Sequence, residues 1–403
     1  MPNLKLRRLR AVIGVYEHGS ALKATEFVHL SQPAIMDAIG ACEDDLGALL
    51  FTRTSRGMTP TDAGTVLCTR IASAFGYLRQ ADDEISMKRG KATRRLHRLI
   101  SEVQLRALSA IISSGGFHAA ARQLGLSQPS VYRAARELET LCGVPLLQRN
   151  GAGILPTAEA LDLARLGDLC FRELSHGLDE IRELQGIMDG SLNIGALPLA
   201  RSKWLPDSLA SVLRKYPFAK VRIMDGPYAE QLSALRHGRI DMIMGALRDP
   251  PPIADIVQEH IFNDPFVIVV RAAHPLAAGF DSEQDKLPPR HLGELAWVLP
   301  RQGTPGRANF EAFMAAKGLT SPASVVECSS FVTTRSLVMQ SDYAALLSRQ
   351  QVEAEVALDQ LKIMGPPLTA SSRAIGITTR KGFRPTGLQR AFLDQIHQYG
   401  KPI

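Results

Sequence analysis

One polar and basic stretch of the chain has the residue types that bind DNA bases. Ser127 can cap the start of a helix. Pro129 suits the first turn, because backbone N–H groups there have no partner within the helix and proline lacks this group. The candidate DNA-binding residues of the stretch are Ser127, Gln128, Pro129, Ser130, Tyr132, Arg133 and Arg136. Because such groups pair with base edges and phosphates, the stretch indicates a helix that reads the major groove. The alternative is that the two arginines are ordinary solvated helix charges.

A shorter helix precedes this stretch and completes a DNA-binding motif. Residues Phe117–Leu124 form a short helical segment, and Gly125 directly after them is the residue type that commonly ends a helix. Two helices joined by a tight turn with glycine, the second carrying polar and basic groups, are typical of a helix-turn-helix. The sequence therefore predicts a unit that binds double-stranded DNA.

The same motif occurs earlier in the chain, at a fixed offset of 96 residues. Ser31-Gln32-Pro33 aligns with Ser127-Gln128-Pro129, and the register continues without a gap from about residue 7 to residue 85. Roughly 23 of about 79 aligned pairs are identical. So many identities in one ungapped register indicate an internal duplication.

Both copies resemble the winged helix-turn-helix of LysR-type transcriptional regulators. The resemblance rests on the Ser-Gln-Pro start of the second helix and on these later segments: Leu46-Gly47, Arg53 and Thr59-Pro60-Thr61-Asp62-Ala63-Gly64 in the first copy, and Leu138-Glu139, Arg149 and Pro156-Thr157-Ala158 in the second. It implies DNA binding, with Arg53, Arg56 and Arg149 in the wings. The family has one such unit, so two in tandem depart from its pattern.

The second helix of the motif has four acidic residues and no lysine or arginine in the first copy, whereas the helix of the second copy carries two arginines. Asp37 stands at the position of Arg133, and Gly40 at that of Arg136. A carboxylate is repelled by phosphates and pairs at a base edge mainly with cytosine. We therefore predict that the second copy reads bases, while the first contacts the DNA backbone through its wing. The alternative is that the first copy serves only for dimerisation.

Each copy runs into a long helix, predicted over residues 61–88 and 157–188. Apolar or small residues recur at spacings of four and three, which is typical of a coiled-coil seam. They are Leu67, Ile71, Ala74, Leu78, Ala81 and Ile85 in the first helix, and Leu163, Gly167, Cys170, Leu174, Gly177, Ile181, Leu184 and Met188 in the second. The two glycines are expected to let a partner backbone approach. LysR-type proteins pair such helices between subunits, so the resemblance suggests a pseudo-dimer within this one chain.

A basic stretch connects the two copies. Residues 88–98 contain six lysines and arginines and no acidic residue. The stretch is predicted either to contact phosphates as a strap or to serve as a solvated tether. The predicted boundaries are 1–89 for the first unit with its long helix, 90–102 for the linker and 103–189 for the second unit.

From residue 190 onward, strands alternate with helices, which indicates a parallel sheet with covering helices. Strands are predicted at 192–196, 220–224, 266–270, 297–299, 324–327 and 374–378, and the segment 238–245 continues the alternation. Helices are predicted near 203–216, 228–236, 332–339 and 388–398, and another begins at residue 307. The order resembles the effector domain of the LysR family, a two-lobed α/β fold like that of type 2 periplasmic binding proteins. The resemblance implies lobe I at about 190–268 and 373–403, and lobe II at about 269–372. Asp225-Gly226-Pro227-Tyr228 further resembles the branch that includes the galactose-binding-protein regulator.

A ligand is expected where the loops after strands meet the starts of helices, because open α/β sheets bind ligands there. The candidate residues are Leu197, Pro198, Arg201, Tyr228, Gln302, Thr304, Ser330 and Phe331. Hydroxyls, free N–H groups and arginine favour a carboxylate or a sugar. The alternative for Thr304 and Ser330 is a simple helix cap, and for Arg201 a surface charge.

Composition excludes several other classes of protein. No apolar run follows the N-terminus, so no signal peptide and a cytoplasmic location are predicted, and no stretch is long and apolar enough to span a membrane. Five cysteines without Cys-x-x-Cys spacing indicate plain thiols, with a redox sensor as the alternative. Neither a catalytic motif nor a metal or cofactor site is predicted. A solute-binding transport protein and an enzyme on the same scaffold are the rival functions.

The favoured function is a ligand-responsive transcription regulator whose effector binds between two lobes and changes DNA binding. The net charge of +7 is compatible with a nucleic-acid partner. The expected partners are a DNA operator, a sugar or carboxylate effector and further copies of the chain in a dimer or tetramer, with RNA polymerase as a candidate.

Overall fold

The protein has a helical N-terminal half and a C-terminal half built on a mixed sheet. The structure, a computed structural model, describes residues 5–55, 57–89, 95–150, 153–279, 288–320, 322 and 324–399. Arg56, which was predicted to contact DNA in the first wing, and residues 90–94 of the basic stretch, which was predicted to be a strap or a tether, lie outside the described residues.

The two sequence copies have the same local structure. The first contains α1 (Leu6–His18), α2 (Ala21–Val28), α3 (Gln32–Leu46), the hairpin of β1 (Phe51–Thr54) and β2 (Gly57–Pro60), and α4 (Asp62–Arg89). After the short α5 (Leu96–Leu99), the second contains α6 (Glu102–Ser114), α7 (Phe117–Leu124), α8 (Gln128–Cys142), β3 (Leu147–Asn150), β4 (Gly153–Pro156) and α9 (Ala158–Leu184). Gly125 ends α7 at φ 65°, in the left-handed region that favours glycine.

The long helices α4 and α9 pack against each other within the chain and run antiparallel. Lys88 Nζ near the end of α4 lies 3.3 Å from Glu159 Oε1 at the start of α9, while Arg70 Nη2 lies 2.7 Å from Glu180 Oε1 toward the other end. The predicted seam residues of α4, and those of α9 up to Ile181, are buried. Buried side chains of both units form one contiguous hydrophobic core.

Three details of the predicted seam were wrong. Helix α9 ends at Leu184, because the chain turns at Gly186 with φ 79°; Leu184 is exposed, and Met188 packs on the core of the C-terminal half. Gly167 faces α6 of its own unit, since an added Cβ would lie 3.0 Å from Leu105 Cδ2. Gly177 faces α4, but the atoms packed against it belong to the Arg70 side chain and not to the backbone of α4.

One sheet runs through the described C-terminal half. Its strands are β5 (Ser191–Ala196), β6 (Lys220–Met224), β7 (Met242–Ala246), β8 (Ile256–Arg271), β9 (Ala296–Leu299), β10 (Val325–Glu327), β11 (Tyr343–Ser348), β12 (Leu361–Ile363) and β13 (Leu368–Arg380). They follow the order β10-β9-β11-β8-β13-β7-β5-β6, with β12 paired to β8. The helices are α10 (Trp204–Lys215), α11 (Tyr228–Arg236), α12 (Pro289–Glu294), α13 (Pro305–Ala316), α14 (Phe331–Gln340), α15 (Arg349–Ala357) and α16 (Gly387–Tyr399).

Two long antiparallel strands, β8 and β13, connect two separately packed parts of this half. Near Arg373 and Asp264 they pair with each other, and farther along β8 pairs with β11 and β12. One hydrophobic core gathers around Trp204 and Phe392, and another around Trp297 and Phe310. We call these the Trp204 part and the Trp297 part.

Most predicted elements of the C-terminal half are confirmed within a few residues, but the short helix α12 and three consecutive later elements were missed. Strand β11, helix α15 and strand β12 follow one another in the Trp297 part. Strands β8 and β13 are also much longer than the segments predicted at 266–270 and 374–378. Across the described ranges, no helix is both long and apolar enough to cross a bilayer.

Candidate nucleic-acid interface and ligand cleft

Helix α8 presents a polar and basic face to solvent. Ser127 lies in the extended region and its Oγ accepts a hydrogen bond from the Ser130 backbone N–H at 3.3 Å, as expected of a helix cap. The face contains Gln128, Pro129, Ser130, Tyr132, Arg133 and Arg136, all exposed. Val131, Ala134, Ala135 and Leu138 are buried on the opposite side. Hydrophobic packing therefore fixes which side chains of α8 point outward.

The two arginines of α8 differ in their freedom to move. Arg136 Nη1 donates to Glu139 Oε2 at 2.5 Å, and its guanidinium lies 5.2 Å from the centre of the Tyr132 ring. Hydrogen bonds to Tyr132 and Glu139 raise the pKa of Arg136. Arg133 is exposed one position after Tyr132. It is therefore better placed than Arg136 to reach a base edge.

Glu139 has a structural role that sequence reasoning missed. Its Oε1 accepts the backbone N–H groups of Leu146 and Leu147, both at 3.0 Å, and so fixes the chain that leads into the second hairpin. Glu43, its counterpart in the first copy, accepts the Leu50 N–H in the same way at 2.7 Å. The sequence does contain a signal for this role, because both copies have glutamate at this position.

Helix α3 has the same caps and length as α8, but it carries four acidic residues and no lysine or arginine, whereas α8 carries two arginines and two glutamates. Ser31 caps it through the Ala34 N–H at 3.4 Å, and Gln32 and Pro33 are exposed in its first turn. Asp37 is exposed at the position of Arg133. Arg53 is exposed on β1, and Arg149 lies in the corresponding strand β3. The first copy therefore offers a basic group on its hairpin and acidic groups on its helix.

A cavity of about 810 Å³ lies between the Trp204 part and the Trp297 part. Four of the predicted ligand residues line it: Pro198, Arg201, Ser330 and Phe331. Sequence reasoning missed the lining residues Lys203, Arg335, Gln350, Gln351, Glu353 and Glu355. Four of these six belong to α15, a helix that the apolar pattern of the sequence did not reveal.

The other four predicted ligand residues lie outside this cavity. Leu197 is buried and Tyr228 partly buried in a hydrophobic cluster, and burial raises the pKa of the Tyr228 hydroxyl. Gln302 is exposed on a turn. Thr304 caps α13, since its Oγ1 accepts the Arg307 N–H at 3.4 Å and donates to the Arg301 carbonyl at 2.7 Å. Its hydroxyl is therefore already used within the protein.

The cations around the cavity are held by carboxylates. Lys203 Nζ lies 3.2 Å from Glu353 Oε2, which joins the start of α10 to α15 across the opening. Arg335 Nη1 donates to Glu355 at 2.7 Å, and within the described chain its buried Nε has no hydrogen-bond partner. Arg201 pairs with the exposed Asp225 at 3.2 Å. An anionic ligand would compete with these carboxylates for the cations.

A buried polar joint fixes α9 to the Trp204 part. Arg172 donates to both oxygens of Asp241, at 2.7 and 2.9 Å through Nη2, and the Asn193 N–H donates to the same carboxylate at 2.8 Å. His176 lies 3.4 Å from Asp241 and 3.2 Å from Gln389 on α16. Asp241 and His176 are fully buried. We call this cluster the Asp241 joint.

The cysteines give little support to a redox sensor. Cys42, Cys68, Cys142 and Cys170 are buried, and Cys328 is partly exposed. Burial raises the pKa of the Cys42 thiol to about 11 and that of Cys68 to about 12. Thiols held in the protonated form react slowly with oxidants.

Two patterns that define protein families match the chain. The LysR substrate binding domain matches residues 185–401. The pattern of the bacterial regulatory helix-turn-helix proteins of the lysR family matches twice, over residues 6–65 and 103–161. The two N-terminal matches fall on the two sequence copies.

Several known regulators are similar to the chain over much of its length. It is 32% identical over 382 residues to the HTH-type transcriptional regulator GalR of Pseudomonas putida, covering 95% of this chain and 93% of that protein. It is 30% identical over 268 residues to the HTH-type transcriptional regulator PcaQ of Agrobacterium fabrum, covering 66% and 84%. A solved full-length OxyR variant from Pseudomonas aeruginosa matches with a TM-score of 0.54 and 21% identity, covering 74% of this chain and 98% of that one. The likeness to OxyR shows the fold alone.

Proposed function

We propose, since the chain belongs to the LysR family of DNA-binding transcriptional regulators, that its two N-terminal units form one DNA-reading head. The protein is a ligand-responsive regulator of transcription. Each unit is proposed to be a winged helix-turn-helix, with the β1–β2 and β3–β4 hairpins as wings. The proposed boundaries are 1–89, a linker at 90–102, 103–189, and an effector domain at 190–403.

The pairing of α4 with α9 inside one chain carries this proposal. The seam buries apolar residues of both helices, and the ion pair between Lys88 and Glu159 connects their ends. Family members with one unit need a second subunit for such a seam, whereas this chain has both helices. We infer that a single chain is a pseudo-dimer of reading units, and that whole chains associate further into dimers or tetramers.

The test of the proposed function is site-selective DNA binding. A duplex taken from upstream of the protein's own gene should be retained in a gel-shift assay, more tightly than an unrelated duplex of equal length. Retention should weaken steeply as salt rises, because phosphate contacts release counterions. Equal retention of both duplexes at every salt concentration would contradict the proposal.

The linker between the units is proposed to contact phosphates. Arg95 and Arg98 are exposed, and the Arg10 guanidinium holds the backbone on both sides of Arg98 by donating to the His97 and Ile100 carbonyls at 2.9 and 2.7 Å. Changing both exposed arginines to glutamine should reduce the slope of log affinity against log salt by about 2, because each neutralised phosphate contributes roughly 0.9 to that slope. Binding to a set of duplexes at several salt concentrations measures this slope. An unchanged slope would leave the linker as a tether.

The C-terminal domain is proposed to be a two-lobed sensor of the type 2 periplasmic-binding-protein kind. The Trp204 part is proposed as lobe I, at about 190–268 and 373–403, and the Trp297 part as lobe II, at about 269–372. The cavity between them, with its hydroxyls and cations, supports a site for a small carboxylate or a sugar. Closure around the ligand would shift the lobes about β8 and β13.

Arg335 is expected to distinguish the two ligand classes. A thermal-shift screen with sugars, aromatic acids and aliphatic acids should find compounds that stabilise the wild-type protein. If the effector is a carboxylate, Arg335→Gln should weaken its binding about tenfold or more, because a charge-assisted hydrogen bond is removed. Gel shifts without ligand should be unchanged. Arg349→Gln, an exposed arginine at the start of α15 that does not line the cavity, is the matched control.

The signal is proposed to pass from the lobes to the reading head through the Asp241 joint. The joint ties α9 to lobe I, so lobe I and the reading head would move together while lobe II rotates. Relatives named as transcription regulators favour this function over a solute-binding protein or an enzyme. A cytoplasmic location, with access to the operator and to RNA polymerase, follows from the same proposal.

A further inference from the structure

Arg70 is a buried cation in the seam between the two long helices. Its side chain is 3% exposed. Nη1 donates to Glu173 Oε2 at 2.8 Å, and Nε and Nη2 donate to the two oxygens of Glu180 at 2.9 and 2.7 Å. Nη2 also donates to the Arg384 carbonyl of the effector domain at 3.0 Å. An arginine of α4 is therefore neutralised entirely by groups outside α4.

The acceptors on α9 form a socket shaped for this side chain. Glu173, Gly177 and Glu180 are spaced by four and three residues, which places them on one face of the helix. A Cβ on Gly177 would lie 3.2 Å from both Cβ and Cγ of Arg70. These atoms are the rigid root of the arginine, so a larger residue at Gly177 would force it out. We call Glu173, Gly177 and Glu180 the Arg70 socket.

The other side of the seam has no such contact. At the offset of 96 residues, Arg70 corresponds to Leu166, which is fully buried, and Glu173 corresponds to Tyr77. Gly177 corresponds to Ala81, and Glu180 to Glu84. The position around Arg70 is therefore ionic, whereas the corresponding position around Leu166 is largely apolar. The duplicated helices have therefore become complementary rather than equivalent.

This difference bears on which helices can pair. In a pair of two α9 helices in the same register, Leu166 would face Glu173 and Glu180 of the second copy, and four carboxylates would be buried without a cation. Buried charges without a partner are strongly unfavourable. In a pair of two α4 helices, each Arg70 would face one carboxylate instead of two. Rejection of wrong partners by unpaired charge is a known route to specificity.

We propose that Arg70 and its socket determine the pairing partner, so that α4 pairs with an α9 helix and neither helix pairs with a second copy of itself, while covalent linkage favours the α9 helix of the same chain. The proposal rests on the proposed pairing of the two units within one chain. It gives the two long helices of this protein an ionic contact that a pair of identical helices cannot form. Burial alone would lower the pKa of Arg70, but hydrogen bonds to Glu180 and Glu173 raise it, so Arg70 keeps its charge.

The test uses the Lys88–Glu159 pair as a reporter. The two groups are 3.3 Å apart and partly exposed, so a carbodiimide can join them directly. One full-length chain carries Glu159→Gln and keeps Lys88; the other carries Lys88→Arg and keeps Glu159. When the two are co-expressed, this crosslink can form only between chains, and peptide mass spectrometry detects it. The wild-type chain alone is the positive control.

On the otherwise wild-type background we expect almost no crosslink between the two chains. We then add Glu173→Tyr to the first chain and Arg70→Leu to the second. Each chain now has a mismatched seam of its own, but α4 of the first fits α9 of the second. Crosslinking between the chains should rise at least about fivefold. Pairing within one chain has the higher effective concentration, but in these variants it buries an unpaired charge, which pairing between the chains avoids. Arg79→Leu, an exposed arginine on α4, replaces Arg70→Leu in the matched control and should give no rise.

The outcomes separate this proposal from the one it rests on. Strong crosslinking between chains on the wild-type background would overturn pairing within one chain. No crosslink between chains on either background would show that Arg70 does not choose the partner. If the Arg70→Leu chain is insoluble even when co-expressed, Arg70→Gln removes the charge with less change in polarity and gives the same readout.

Discussion

Replacing Asp241 by alanine should destabilise the protein by about 3–5 kcal/mol, the usual result of removing one partner from a buried ion pair. The change leaves Arg172, His176 and the Asn193 N–H without their shared acceptor. Burial alone would raise the pKa of Asp241, but the hydrogen bond with His176 and the charge of Arg172 outweigh it and hold the pKa well below the ordinary range. The stabilisation should therefore be complete above about pH 5 and fall as the pH drops below about 4.

Urea unfolding at neutral pH measures this destabilisation. Asp225→Ala is the matched control, because its ion pair with Arg201 is exposed and should contribute less than about 1 kcal/mol. If Asp241→Ala were as mild as the control, the joint would not hold α9 to lobe I. Asp241→Asn preserves the shape of the side chain, and it should uncouple ligand binding from DNA binding at a smaller cost in stability.

Replacing Arg133 by alanine should weaken binding to the specific operator by about 1–3 kcal/mol, the range for one base-reading arginine. Arg133 is exposed on the polar face of α8, and among the residues that the structure describes no carboxylate holds it as Glu139 holds Arg136. Asp37→Ala, at the same position of α3, should have little effect or strengthen binding slightly, because it removes a charge that phosphates repel. Titrations with the operator and with a scrambled duplex measure both changes.

Equal reductions in affinity from Arg133→Ala and Asp37→Ala would contradict the proposed division of labour. A reduction that is the same for operator and scrambled duplex would assign Arg133 to phosphate contacts instead of base reading. Arg136→Ala should have an intermediate effect, because Arg136 must give up part of its bond to Glu139 before it can bind DNA.

The N-terminal half was well predicted from sequence because its signals are local. Ser31, Ser127 and Gly125 act on the turn beside them, and the duplication checks each assignment a second time. The error at the end of α9 came from extending the seam pattern through Gly186, where a left-handed turn outweighs apolar spacing. The roles of Gly167 and Gly177 depend on the position of α6 and α4, which spacing along one helix does not specify.

The ligand cleft was only half predicted, for a physical reason. Loops beyond strands mark where a ligand site can form, and this signal found Pro198, Arg201, Ser330 and Phe331. The opposite wall depends on α15, whose weak apolar periodicity hides it in the sequence. Leu197 and Tyr228 also lie beyond the ends of strands, but their side chains pack in a hydrophobic cluster instead of lining the cavity.

Because the two reading units belong to one polypeptide, their pairing does not depend on the concentration of the protein. Where such units meet as separate subunits, the assembled fraction falls as the protein becomes scarce. The covalent connection through the linker and the folded second unit holds α4 near α9 at an effective concentration on the order of millimolar, whatever the number of molecules in the cell. A regulator built in this way would keep each pair of reading units complete at very low gene dosage, so that only the association of whole chains would depend on protein level.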